Sequence, residues 1–322
     1  MAEKDLKIDI GDKPLSWNGE ASQVAAVPVL PPSAAVVKIS LWEKIADIPP
    51  SVRLCFLIVM IMAFAAVFAP WVVPRNPNET NLMERNARPS LIKEERIGHL
   101  FGTDQLGRDT LSRCIYALRV SVGISLVGLV IGCLVGVTLG IMSGLLRGWV
   151  DRIVAILVDF QLAVPYILII LVGITVFGYD IPVLIALIGL ARWETYARLI
   201  RGQVLSIRET PFVLAAQALG ASNWRIAVRH ILPNIASMLT VLLTMNFPRI
   251  LLLESSLSFL GIGVQPPTAS LGRMVGEGRD YMISAWWVVV SPAAFIVLIT
   301  LCLQIIGDWL RDEFDVRLEK EK

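Results

Sequence analysis

Six apolar stretches, each long enough to cross a bilayer, constrain this chain more than any other feature in it. They fall at about residues 52–73, 120–141, 153–176, 181–200, 235–260 and 285–310. An α-helix rises about 1.5 Å per residue, so roughly twenty residues cross a hydrocarbon layer of about 30 Å. Inside that layer every backbone polar group needs a partner in its own segment, which selects helices. The expected class is an all-α polytopic membrane protein with six transmembrane helices. Composition agrees: 55% of residues are hydrophobic and 17% charged, whereas about a quarter are charged in soluble domains.

Three regions follow from where the apolar runs begin. Residues 1–50 mix charges with Pro, Ala and Val without a sustained period and are expected to form a cytoplasmic tail. Near its end Ser40-Leu41-Trp42-Glu43 has capping-box spacing, with Leu41, Ile45 and Ile48 on one face of a short interfacial helix that turns at Pro49-Pro50. No signal peptide is expected, because the first long apolar run starts some fifty residues in. Residues 51–116 hold the first span, with Trp71 at its far interface, and an extracytoplasmic segment. Residues 117–322 hold the remaining spans and a polar-flanked loop at 210–233.

Lys and Arg near the span ends set the orientation. With the N-terminus inside, the two later outer loops hold only Arg273 and Arg279, while the short inner segments are Arg-rich. The first outer segment opposes this with eight basic residues, but it is long and also carries six acids. The short loops therefore place both termini and the 210–233 loop in the cytoplasm.

Several function classes are excluded or weakened. A net charge of +2, spread along the chain, gives no footprint for nucleic acid. Cys55, Cys114, Cys133 and Cys302 lack C-x-x-C spacing and read as small apolar filler. With only His99 and His230, a His-based metal site has little support. No catalytic, metal or cofactor-binding residue is expected. The glycines at 128, 132, 136 and 140, with Gly144 beyond, lack the G-x-x-x-x-G-K-[ST] pattern of a phosphate loop. Four-residue spacing makes them a nearly continuous groove along one helix face, suited to close backbone approach in lipid.

Ionisable residues within the apolar runs are functional candidates by default. They are Asp159, six residues before Pro165, then Arg192 and Glu194 in the fourth run, and Arg249 and Glu254 in the fifth. Arg192, Glu194, Arg249 and Glu254 are the candidates for lining a translocation path. Five residues of separation rotate Arg249 and Glu254 by about 140° on a helix, so each is expected to find a different partner.

The loop at 210–233 reads as two short helices with a break. Thr210 can cap the first, Pro211 fits its first position, Gly220 sits where a left-handed residue ends it, Ser222 can cap the second and Pro233 limits it. Ala215, Ala216 and Ala218 leave a low-relief docking surface. A helix-turn-helix could also suggest DNA reading, but membrane spans flank it on both sides.

This segment resembles the "EAA" coupling loop of binding-protein-dependent ABC importer permeases, whose pattern is E-A-A, three residues, Gly, about nine residues, then a hydrophobic residue, Leu and Pro. Ala215, Ala216, Gly220, Ile231, Leu232 and Pro233 match, and Leu214 stands in the Glu place. Residues 102–109, G-T-D-Q-L-G-R-D, resemble the segment before the second span in the second ("C-type") permease subunit of dipeptide and oligopeptide importers, although turns and a helix cap would explain the same residues. E-S-S-L-S-F-L-G-I-G-V-Q-P-P at 254–267 and G-D-W-L-R-D-E-F-D-V-R-L at 307–318, with Val316 in a Pro place, resemble the same subunits.

The resemblance implies a type I ABC importer permease fold and a place in a bacterial inner membrane. It also implies a second, homologous permease subunit, two ATPase subunits that bind ATP, an extracytoplasmic substrate-binding protein and a peptide as cargo. Leu214, Ala215, Ala216, Gly220, Arg225 and Pro233 would then couple this chain to the ATPases. The rival readings are a proton-coupled secondary transporter using Asp159 or Glu254, which convincing inverted repeats would support, and a membrane enzyme needing a second carboxylate beside Asp159. Neither accounts for the 210–233 loop.

Overall fold

Capping residues and prolines, more than the lengths of the apolar runs, decide where the helices begin and end. The computed structural model describes residues 48–90 and 98–314. The interfacial helix expected near residue 40 and the chain beyond 314 lie outside the described residues. Among the described residues there is no strand, and one isolated bridge joins Thr103 and Asp109.

The first helix, α1 (Pro50–Val67), starts on Pro50. The second, α2 (Thr110–Leu146), has 37 residues and is about 55 Å long, well over the bilayer thickness. It begins ten residues before its apolar run because Asp109 caps it, accepting from Ser112 N at 2.8 Å.

The next two runs are broken, which corrects the expectation of six continuous spans. Helices α3 (Gly148–Ala163) and α4 (Tyr166–Phe177) meet at 94°. The break falls at Val164, extended at φ −103° and ψ 128°, because the ring of Pro165 disfavours helical backbone in the residue before it. Helices α5 (Ile181–Leu190) and α6 (Trp193–Arg208) are interrupted at Ala191-Arg192. Neither is a span by itself: α5 has ten residues, about 15 Å, and α6 carries three arginines and a glutamate. Among the described residues four helices are long and apolar enough to cross a membrane, or five if α3 and α4 together make one bent span.

The other main helices are α7 (Pro211–Ala218), α8 (Asn223–Ile226), α9 (Leu232–Phe259), α10 (Leu271–Gly278) and α11 (Trp287–Phe314), with short helical turns at Ala69–Val72, Leu82–Glu84, Ala227–Ile231 and Arg279–Tyr281. The central post is α2, which touches α1, α3, α5, α6, α9, α10 and α11. Its glycine face is closed by α5 and α6 of the same chain. A Cβ on Gly132 would lie 2.7 Å from Gly189 O, one on Gly140 2.7 Å from Ala197 O, and one on Gly144 2.6 Å from Val204 Cγ1. Gly128 faces Ile188, and Gly136 faces the Trp193 carbonyl and Tyr196. Backbones thus meet where any side chain would hold them apart, giving the dispersion contacts on which helix association in lipid depends. All four cysteines are free and buried.

The end of the bundle away from residues 210–233 is closed by a polar cap. Asp104 accepts from Leu106 N (2.8 Å), Arg108 N (3.0 Å) and Arg108 Nε (2.7 Å), and pairs with Arg113. Arg113 Nη2 also reaches Glu277 Oε2 at 3.2 Å, and Glu277 holds Arg273 Nε at 2.8 Å, which joins α2 to α10. Gly102 and Gly107 adopt φ of +71° and +75°. A side chain at either would collide with the Ala87 carbonyl or with Asn81. Thr103 O accepts from Trp287 Nε1 at 3.1 Å, binding the cap to α11. The 102–109 segment is therefore turns, a helix cap and a buried ion-pair network together.

Candidate functional site

The 210–233 loop is built as a rigid knob. Thr210 occupies the N-cap position of α7, but its hydroxyl donates back to Ile207 O instead of capping. At the other end Ala221 N donates to Ala216 O (3.0 Å) and Gly220 N to Gln217 O (2.9 Å), with Gly220 at φ +81°. This is the Schellman pairing that ends helices on a left-handed glycine. Ser222 Oγ then accepts from Arg225 N at 3.3 Å, starting α8.

Val213, Ile226 and Ile231 are wholly buried and fasten the knob to the core beside Ile200, Val204 and Ile235. Facing outward are Leu214, Ala215, Leu219, Trp224, Arg225 and Arg229, with Leu219 89% and Trp224 78% exposed. The surface is therefore not the low-relief alanine face expected from the sequence. Two large apolar side chains stand out from it beside two arginines, the kind of patch that marks a protein contact.

Pro233 does not limit the second helix. A π-helical turn, Ala227–Ile231, joins α8 to α9, and residues Asn223–Phe259 run as one 37-residue helix. Pro233 falls in the first turn after the π segment, where a missing N–H is tolerated. The side-chain amide of Asn234 adds a bond to His230 O at 2.6 Å. The knob and the fifth span are consequently one rod. Two arginine contacts brace the bundle beside it: Arg201 grips Asp151 through Nε (2.5 Å) and Nη2 (2.7 Å), and Arg208 Nη1 donates to Leu145 O at 2.9 Å.

Farther along the rod the two interrupted spans converge. A cavity of about 310 Å³, open on one side, is lined by Tyr166, Arg192, Arg249, Ser256 and a wall of leucines. Tyr166 opens α4 after the Pro165 break, Arg192 caps α6 at the other break, and Arg249 follows Pro248 inside α9. Measured along their helices, each lies ten or eleven residues from the end away from the knob, about 15 Å and so near mid-bilayer. The Arg192 guanidinium sits 6.0 Å from the Tyr166 ring centroid. Among the described residues neither Arg192 nor Arg249 forms an ion pair.

The two glutamates do not share this cavity. Glu254 is wholly buried, accepting from Ser258 Oγ at 2.8 Å and Ser255 Oγ at 3.4 Å, with Ser121 of α2 and Ser270 at the start of α10 beside it. Ser258 Oγ also accepts from Val264 N (3.2 Å), and Ser121 Oγ from Leu271 N (3.1 Å). The E-S-S-L-S stretch thus ties α9 to α2 and α10 through one carboxylate and its serines. Glu194 is buried in α6, with Thr195 on one carboxylate oxygen and, among the described residues, no partner on the other. Asp159 is exposed on α3.

His99 was not singled out by any sequence pattern, yet it is buried, with Nδ1 2.7 Å from Asp109 Oδ1 and Nε2 3.1 Å from Glu84 Oε2. Its ring links the α2 cap to the cap segment, and no motif announced it because Glu84 is fifteen residues away. Among the described residues no cluster of His, Cys, Asp or Glu is arranged to hold a metal.

Apolar helices long enough to span a membrane, one of them bent, together with a surface knob on a long rod and a cavity farther along it, define a multi-helix membrane protein. Residues 136–320 match the family described as "Binding-protein-dependent transport system inner membrane component", and the chain belongs to that family. It is 39% identical over 271 residues to a putative peptide transport system permease protein of Brucella abortus, covering 84% of this chain and 89% of that one. It is 35% identical to the di/tripeptide transport system permease protein DppC of Pseudomonas aeruginosa (82% and 87% covered). It is 36% identical to the glutathione transport system permease protein GsiD of Escherichia coli (82% and 85% covered). In fold it is similar to an inward-facing structure of the MetNI methionine ABC transporter, with TM-score 0.52, 17% identity, and coverage of 63% of this chain and 96% of that one. The chain is a multi-pass permease subunit, and nothing in these likenesses supports the proton-coupled alternative.

Proposed function

We propose that this chain is one of two permease subunits of an ATP-driven importer that moves di- and oligopeptides inward across a bacterial inner membrane by alternating access. It works with a homologous permease, two ATPase subunits and an extracytoplasmic binding protein, and itself carries no ATPase chemistry. The observation that carries this reading is the single helix from Asn223 to Phe259, with the exposed Trp224 and Arg225 at one end and Arg249 in the cavity wall. A push on the knob reaches the cavity through unbroken helix, so closure of the ATPases biases a two-state arrangement of the spans. Peptide as cargo rests on the names of the Brucella and Pseudomonas relatives.

The coupling residues follow from the knob. Leu214, Ala215 and Arg225 lie on its outer face, Ala216 and Gly220 form the turn that fixes its shape, and Pro233 stands where it enters the span. Gly220→Val would put a β-branched side chain at a left-handed position, and Ala216→Glu would add a charge and bulk beside the contact face. In proteoliposomes holding the complete transporter, both variants should still bind the extracytoplasmic partner but lose peptide-stimulated ATP hydrolysis and uptake together. Unchanged hydrolysis and uptake in both would remove the knob as coupling element. Uptake by the wild-type complex should fall to background without the binding protein. Equal uptake without it would mark a self-sufficient carrier.

A further inference from the structure

Arg192 and Arg249 line a cavity near mid-bilayer with no carboxylate facing them among the described residues. An ionisable residue at that depth is costly and is kept where it meets an opposite charge or water. The acids on the same two helices are turned elsewhere, Glu254 into its serines and Glu194 into the core. What is left is a positively charged recess that nothing among the described residues of its own subunit neutralises.

Its other features narrow the ligand. The Tyr166 ring lies near the Arg192 guanidinium, a cation–π arrangement that leaves the N–H edge free for the bidentate grip guanidinium makes on a carboxylate. Tyr166 and Trp193 open helices α4 and α6, whose first N–H groups lack intrahelical acceptors and add positive potential where broken spans meet. The rest of the wall is apolar, from Ile167, Leu252, Leu253, Leu257 and Leu260. At about 310 Å³ the recess is at the lower end of small-molecule sites, roughly 300–1,000 Å³. Two cations over an apolar floor suit an amphipathic anion with one carboxylate and a short apolar body. A phospholipid headgroup does not sit at this depth.

We infer that this recess holds the C-terminal carboxylate of the peptide in transit, with Arg192 and Arg249 as its ligands. The inference rests on the importer reading above and adds to it a residue-level basis for carrying peptides with a free C-terminus. Because Arg249 belongs to the rod that starts at the knob, movement of the rod changes the distance between the two guanidiniums, so the grip is made and released within one cycle.

The test is uptake of Ala-Ala-Ala and of its C-terminal amide by the full complex in proteoliposomes, each expressed per peptide captured by the binding protein. Arg192→Gln and Arg249→Gln should each lower uptake of the free acid by about tenfold or more, as for a lost charge-assisted hydrogen bond. Uptake of the amide and stimulated ATP hydrolysis should change less than about twofold, and Arg249→Lys should recover part of the loss, because it restores the charge without the planar donor fork. An equal fall for acid and amide would mean the arginines hold the fold or a partner, and an unchanged acid uptake would mean the recess is bypassed. Either result overturns the proposal, while ATP-dependent amide uptake would leave the importer reading standing. A wild-type complex that takes up neither peptide would overturn that reading, and this one with it.

Discussion

The two ends of the helical bundle are built on opposite plans. At the cap end a buried and half-buried set of charged groups is closed by its own partners: Asp104 with Arg108 and Arg113, Arg113 and Arg273 with Glu277, His99 between Asp109 and Glu84. At the knob end Leu214, Leu219 and Trp224 lie on the surface, and the arginines beside them have no partner in the chain among the described residues. A closed polar network stabilises its own subunit, since an unpaired buried charge is expensive. An exposed apolar face contributes little until another surface covers it. Damage at the cap should therefore appear as lost fold, and damage at the knob as lost coupling in an intact fold.

The largest expected effect breaks the cap. Asp104→Ala would leave Arg113, buried at 5% exposure, with Glu277 alone, and would remove the acceptor of Leu106 N, Arg108 N and Arg108 Nε; it should cost about 3 kcal/mol, read as poor recovery of folded protein and a lowered Tm in detergent. A Tm within a degree of wild type would mean the network is decorative. Next comes the seam between the two ends: Gly136→Leu should cost about 1–3 kcal/mol by forcing α6 away from α2, whereas exposed Val130→Leu should stay within about 0.5 kcal/mol.

Smaller still is Arg147→Gly. Arg147 joins α2 to α3 at φ 54° and ψ −161°, a region natural to glycine, so the change should stabilise by about 1 kcal/mol despite losing the exposed contact to Glu209 at 3.5 Å. The smallest effect on stability sharpens the comparison most. Trp224→Ala should move Tm little, within about 0.5 kcal/mol, yet weaken association with the ATPase subunits. Leu214→Ala should do the same to a lesser degree, and its effect should not depend on salt, because an apolar contact is unscreened.

What the sequence made legible was local. Gly220 and Ser222 announced the break in the knob because a left-handed C′ residue and an N-cap are determined within a few residues. The four-residue glycine series predicted a close approach, although only the fold says that α5 and α6 make it. The bend at Val164 was hidden because a proline in an apolar run reads equally as a kink or a break, and the interruption at Ala191-Arg192 has no proline to mark it. The π turn before Pro233 has no sequence signature of its own, so a proline that marks a stop by pattern sits in a continuous rod. Leu219 and Trp224 were missed because helices of eight and four residues have too few turns to define a face.

Among the path candidates, Arg192 and Arg249 share one cavity while Glu194 and Glu254 do not. Helical spacing could separate Arg249 from Glu254, but only tertiary contacts with Ser121 and Ser270 decide where Glu254 goes. The Asp104–Arg113–Glu277 network was illegible for the same reason, with 164 residues between Arg113 and Glu277.

The central claim is that knob and cavity move as one helix, and softening that helix between them tests it most directly. Val228 in the π turn and Ser237 in α9 have exposed side chains and lie between knob and cavity, so Val228→Gly with Ser237→Gly removes no buried contact while adding backbone freedom. In the reconstituted complex the quantity to measure is peptide taken up per ATP hydrolysed. A rigid-rod mechanism predicts that the double variant keeps its ATPase partners and its hydrolysis while this ratio falls severalfold. An unchanged ratio would contradict it and place the transmission in other helices.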